Sequence, residues 1–177
     1  MNKLLKFVLV GFVFAMVVEF QFNILATNNV SNFIFTSFFY PIYLALVYLV
    51  NSFVDKHLSG RKADVLFYFL FGFFGLAFEW FVIGNSPWGN PDANQIGMFS
   101  FWVAIAFMPR IFISAKKGIV ILKKSITKYF AVYAIVTTVL GFLLPFGFRV
   151  FWLTWFQVIA YTIMNYFYWK YYKLTEN

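Results

Sequence analysis

Six long apolar runs divide this chain, and no other feature limits its fold as strongly. They lie at about residues 5–26, 33–54, 65–84, 96–113, 129–146 and 150–169. An α-helix rises about 1.5 Å per residue, so about 20 apolar residues cross the hydrocarbon core of a bilayer. Each run has roughly that length. The runs are continuously apolar and lack the in/out alternation of barrel strands, which predicts helices. The expected fold is an all-α integral membrane protein. It is a single transmembrane domain over 1–177, a bundle of six transmembrane helices in three antiparallel hairpins.

Composition excludes the main alternatives. Of 177 residues, 63% are hydrophobic, 25% aromatic and only 11% charged. Soluble domains carry about 25% charged residues. A soluble fold of this size could not hide 28 Phe in its core while keeping a polar surface. A soluble enzyme, a disordered chain and a nucleic-acid-binding domain are therefore excluded, despite the formal charge of +8. There is no Cys and the sole His is His57, so thiol chemistry and a multi-histidine zinc site are not available.

The basic residues sort by side. Twelve of the fourteen fall at the N-terminus (Lys3, Lys6), in the second connection (Lys56, Arg61, Lys62), in the fourth (Lys116, Lys117, Lys123, Lys124, Lys128) and in the tail (Lys170, Lys173). The opposite side carries only Arg149. Retained loops are rich in Lys and Arg, so both termini are expected on the cytoplasmic side of the cell membrane. A cleaved signal peptide is the rival reading of the first run. Glu19–Ala26 (EFQFNILA) offers no small-x-small cleavage site to support it. For 114–128 two readings stand side by side. One is an interfacial amphipathic helix whose Lys116, Lys117, Lys123, Lys124 and Lys128 meet anionic headgroups of the inner leaflet. The other is a pair of spanning helices that simply extend past the bilayer.

The informative residues are the ionisable ones inside the runs. A charge near the bilayer centre costs at least about 2.5–3.5 kcal/mol, so Glu19 and Glu79 are expected to face the bundle interior, hydrogen-bonded, paired with a cation or protonated. The segments around them echo each other weakly (VEFQFN at Val18–Asn23, FEWFVI at Phe78–Ile83). Gly72, Gly75 and Glu79 share one helix face, where small residues admit a neighbouring backbone. Glu19 and Asn23 share another. Tyr133, Thr137, Gly141 and Pro145 repeat at intervals of four, as do Gln157, Tyr161 and Asn165. Together these predict a polar cluster of Glu19, Glu79 and Arg149 ringed by Asn23, Gln157 and Tyr161. The outer loop with Trp88, Asn90, Asp92, Asn94 and Gln95 is expected to cover it. A purely structural salt bridge that fixes helix packing is the competing reading of the same residues. Pro109–Arg110 reads as a helix terminus with the arginine snorkelling to the headgroups.

No phosphate-binding loop, H-E-x-x-H or G-x-S-x-G motif is present, so nothing selects an enzyme and no cofactor is expected. The leading expectation is binding or transport of a small polar or amphipathic molecule through an outward-biased polar cavity. The alternative is a non-catalytic accessory subunit of a larger membrane complex, with lipid- or pigment-contacting aromatic faces. A membrane-embedded lipid-modifying enzyme comes third. Six spans make a narrow monomer, which leaves room for a homodimer.

Overall fold

The computed structural model describes residues 2–91, 94–115 and 118–174. Within them the chain is all helical. Its six helices are α1 (Lys3–Glu19), α2 (Val30–His57), α3 (Gly60–Phe78), α4 (Gln95–Ile113), α5 (Ile119–Leu143) and α6 (Phe146–Leu174). Two of them run on into π-helical turns: π1 (Phe20–Ala26) continues α1, and π2 (Glu79–Ile83) continues α3. Five segments are long and apolar enough to cross a membrane, namely 3–26, 30–57, 60–83, 95–113 and 119–143. The sixth, α6, has the length but intersperses Tyr, Trp and polar residues among its apolar ones, which lowers its hydropathy.

Local chemistry explains the ends. The side chains of Asn2, Asn29 and Asn94 accept hydrogen bonds from the backbone N–H of Leu4 (3.1 Å), Asn32 (3.0 Å) and Gly97 (2.7 Å), capping α1, α2 and α4. Gly84 closes π2 at φ +89°, a conformation that a side chain would strain. The fifth expected span ran to residue 146, but α5 ends at Leu143. Leu144 precedes Pro145 and takes extended geometry (ψ 141°), because the proline ring clashes with a helical neighbour. At its other end α5 begins at Ile119, ten residues before the expected 129. Ile119, Leu122 and Ile126 are buried in the core, and the described part of 114–128 adds turns to α5 and forms no separate interfacial helix.

The core sits around α4. Trp102–Ile111 are buried without interruption, as expected of a helix surrounded by others. Helices α1, α3 and α6 each pack along it. Gly72 and Gly75 of α3 do make room, but for rings and not for a backbone. A Cβ at Gly72 would collide with Phe99, and one at Gly75 with Trp102. Outward-facing Phe38, Ile42, Phe81 and Ile121 are among the many exposed apolar side chains, a surface suited to acyl chains.

The stretch 55–64 forms helix and not the long charged connection that its composition suggests. Only Leu58 and Ser59 separate α2 from α3. That brings Asp55 and Asp64 against Arg110, which is 7% exposed and does not snorkel. Its Nη2 lies 2.8 Å from both Asp55 and Asp64, and its Nε donates to Asp64 at 2.9 Å. Nη1 donates to Asn51 Oδ1 and, at 3.1 Å, to Asp55. The guanidinium also lies over the Phe67 ring at 5.2 Å. The two acids flank the only basic residue within reach on α4, so charge neutralisation wins over exposure to headgroups. This cluster joins α2, α3 and α4 at the lysine-rich, basic end of the bundle.

Candidate functional site

At the opposite end, Glu19 and Glu79 stand at equivalent places: each marks the step from α to π geometry. A π turn carries an extra residue, which rotates the following side chains relative to a continuous α-helix. Such turns recur at functional sites. The weak echo in the sequence thus corresponds to a matched local backbone.

The partners match too. Tyr40 of α2 donates its hydroxyl to Glu19 Oε1 at 2.6 Å, and Asn23 donates its amide to Oε2. Trp102 of α4 donates its indole N–H to Glu79 Oε1 at 3.0 Å, and Asn85 donates its amide to Oε2 at 2.9 Å. Each carboxylate therefore receives one aromatic donor from the next helix and one asparagine from its own segment. Asn32 extends the first set by donating to Asn23 Oδ1 at 2.8 Å. Gln95 extends the second: it accepts from Trp80 Nε1 at 2.6 Å and donates to the Asn85 carbonyl at 3.1 Å.

Both carboxylates line one cavity of about 410 Å³. Asn85, Asn90, Asn94 and Gln157 add to its polar wall, and Phe22, Phe101 and Tyr161 to its apolar wall. Among the described residues no basic side chain pairs with either glutamate. A carboxylate offers about four lone-pair sites, so each keeps acceptor capacity beyond its two hydrogen bonds. Gln157 shows the complementary lack. Its Nε2 is buried and has no hydrogen-bond partner. Leaving such a donor unmet costs about 1–3 kcal/mol.

The expected cluster is assembled in part. Glu19, Glu79, Gln157 and Tyr161 share the cavity, and Asn23 stands behind Glu19. Tyr161 presents only its ring, because its hydroxyl donates to the Phe14 carbonyl at 2.9 Å. Arg149 is not brought to the glutamates. It donates to the carbonyls of Leu144 (2.8 Å), Leu25 (3.3 Å) and Phe142 (3.4 Å), tying the end of α5 to π1. Those carbonyls lack helical donors, and a guanidinium at a helix C-terminus meets both them and the helix dipole. Trp88 does not cover the cavity either. It is 69% exposed and packs edge-on against Trp80, with Phe81 beside it. Asp92 lies outside the described residues, and so do Lys116 and Lys117.

Three residues carry no signal in the sequence: Tyr40, Trp102 and Gln21. Tyr40 and Trp102 are the donors that hold the carboxylates, and their distances in sequence, 21 and 23 residues, carry no helical signature. Gln21, fully buried, donates to Thr137 (2.6 Å) and Thr138 (3.2 Å) and accepts from Tyr133 (3.0 Å), which locks π1 to α5. The expected inward stripe on α5 is real for Tyr133, Thr137 and Gly141, whereas Pro145 is exposed.

Comparison with known proteins finds no match to this chain among family models, curated proteins or solved structures, which leaves the geometry of the site as the ground for its function.

Proposed function

We propose that this is a multi-pass protein of the cell membrane that binds or transports a small polar or amphipathic molecule through the Glu19–Glu79 cavity. In this reading α6 is the sixth span and the helices form three hairpins. Both termini face the cytoplasm, as the lysine distribution favours. The lysines Lys116, Lys117, Lys123, Lys124 and Lys128 meet anionic headgroups of the inner leaflet. The observation that carries the reading is one cavity in which two glutamates keep unused acceptor sites while a buried amide donor lacks an acceptor. The ligand best suited to it bears an amine or hydroxyl for the glutamates and an acceptor for Gln157. A cavity of about 410 Å³ suits a molecule of metabolite size.

Native mass spectrometry of gently extracted protein tests this. Wild type is expected to carry a small-molecule adduct that Glu79→Gln and Glu19→Gln lose while staying folded. An adduct retained equally by these variants overturns the reading. So does the lack of any adduct combined with no thermal stabilisation by a panel of small amines and amino alcohols. A second reading, an accessory subunit, is favoured by carboxylates that already hold internal hydrogen bonds and by the broad exposed apolar surface. It predicts a stoichiometric membrane-protein partner, or a second copy of this chain, in the same spectra.

A further inference from the structure

The end of the bundle that holds the Glu19–Glu79 cavity carries more acids than bases among the described residues. Its one basic side chain, Arg149, is engaged with the carbonyls of Leu144, Leu25 and Phe142. The carboxylates themselves receive only neutral donors, Tyr40, Asn23, Trp102 and Asn85. Neither charge is therefore compensated inside the protein, and an uncompensated charge away from water is costly.

The rings around the acids form one continuous wall. Tyr40, which holds Glu19, and Trp102, which holds Glu79, lie 6.5 Å apart between centroids. Phe101 packs against both, at 6.4 Å and 5.9 Å, and meets Tyr161 edge-on at 5.5 Å. Phe101 and Tyr161 line the cavity together with both glutamates, so acids and aromatic rings bound the same space. The faces of such rings attract cations.

This surrounding separates the two groups that could serve the glutamates. A hydroxyl brings one O–H donor and no charge, whereas a primary ammonium brings three N–H donors and a positive charge. Only the ammonium can donate to both carboxylates at once and offset part of their charge. Its hydrogen bonds to them are charge-assisted, the stronger kind.

We propose that the occupant of this cavity is an organic cation whose primary ammonium donates to Glu19 and Glu79 together. Its apolar body lies against Phe22 and Phe101, and an oxygen of the ligand accepts from Gln157 Nε2, the buried donor without a partner. This assignment rests on the reading of the cavity as a ligand site and adds the charge of the ligand. A neutral polyol would leave both carboxylates uncompensated, and an anion would add a third negative charge. A bare alkali cation would leave the Gln157 amide without an acceptor.

The test is isothermal titration calorimetry of the full-length protein in detergent, with the heats of detergent alone subtracted. The probes are phenylethanolamine and its neutral counterpart styrene glycol, in which a hydroxyl replaces the amine. Wild type should bind the amine about tenfold or more tightly than the glycol. Glu19→Gln and Glu79→Gln should each reduce that preference, and the double variant should erase it. Gln157→Leu should weaken both probes alike and keep the preference. Equal affinity of wild type for the two probes overturns the cation assignment without recourse to any variant. So does a preference that persists unchanged in the double variant, because the cation is then held elsewhere. If neither probe binds while wild type keeps its glutamate-dependent adduct, the cation assignment fails alone. If that adduct is absent too, the reading of the cavity as a ligand site fails with it.

Discussion

The two ends of this bundle handle buried charge in opposite ways. At the basic end, Arg110 meets Asp55, Asp64 and Asn51, and every charge in the group has an opposite charge within 3 Å. At the π-helical end, two carboxylates meet only neutral donors, Tyr40, Asn23, Trp102 and Asn85, and look into a common cavity. Both arrangements answer the same cost of placing charge in a low-dielectric surrounding. The first gives each acid a cation within the chain, which is what a fixed structural joint needs. The second leaves acceptor capacity unused, which is what a binding site needs. Buried charge is thus handled in two ways in one bundle, and the two differ in the sign and completeness of the partners.

The sharpest way to break this contrast is Arg110→Met. It removes the guanidinium that Asp55 and the buried Asp64 share, and should cost about 3–5 kcal/mol in reversible unfolding from detergent. A loss under about 1 kcal/mol would remove the structural joint from the comparison. Next in size, Tyr40→Phe and Trp102→Phe each delete one donor to a carboxylate. About 1.5–3 kcal/mol should be lost for Tyr40→Phe, and more for Trp102→Phe, which also leaves a cavity where the buried indole packs. Asp55→Asn should matter less, at about 1 kcal/mol or below, because the Asp55 side chain is 48% exposed and water screens its pairing. The smallest stability effect belongs to Gln157→Leu. It removes a buried donor that has no partner, so the unfolding midpoint should hold or rise. The ligand adduct should nevertheless be lost. A fall in stability with the adduct retained would make Gln157 a packing residue and weaken the contrast from the other side.

Particular residues show how far the sequence can be read. Glu19 and Glu79 were identifiable because each is an acid in an apolar run, and the structure puts both on one cavity. Gln157 and Tyr161 followed from their spacing on α6. Arg149 was assigned to the glutamates because depth was all the sequence offered. The carbonyls released where α5 ends before Pro145 lie nearer and hold it instead. The Arg110 cluster was hidden by the polar look of 55–64. Once Asp55 and Asp64 are placed on helices, three charged residues at one depth are a recognisable group. Tyr40 and Trp102 had no such signal, since contact between separate helices depends on how they cross and rotate.

The sequence by itself determined that the chain is helical, that most of its helices are long and apolar enough to cross a membrane, and where the acids lie within them. It could do so because transfer of side chains into hydrocarbon is a local property, summed along a single helix. Only the tertiary structure decided which donors reach which carboxylate, that the two glutamates share a cavity, and that Asp55 and Asp64 converge on Arg110. Those outcomes rest on π turns, helix rotation and packing around α4, none of which is encoded at a fixed distance along the chain.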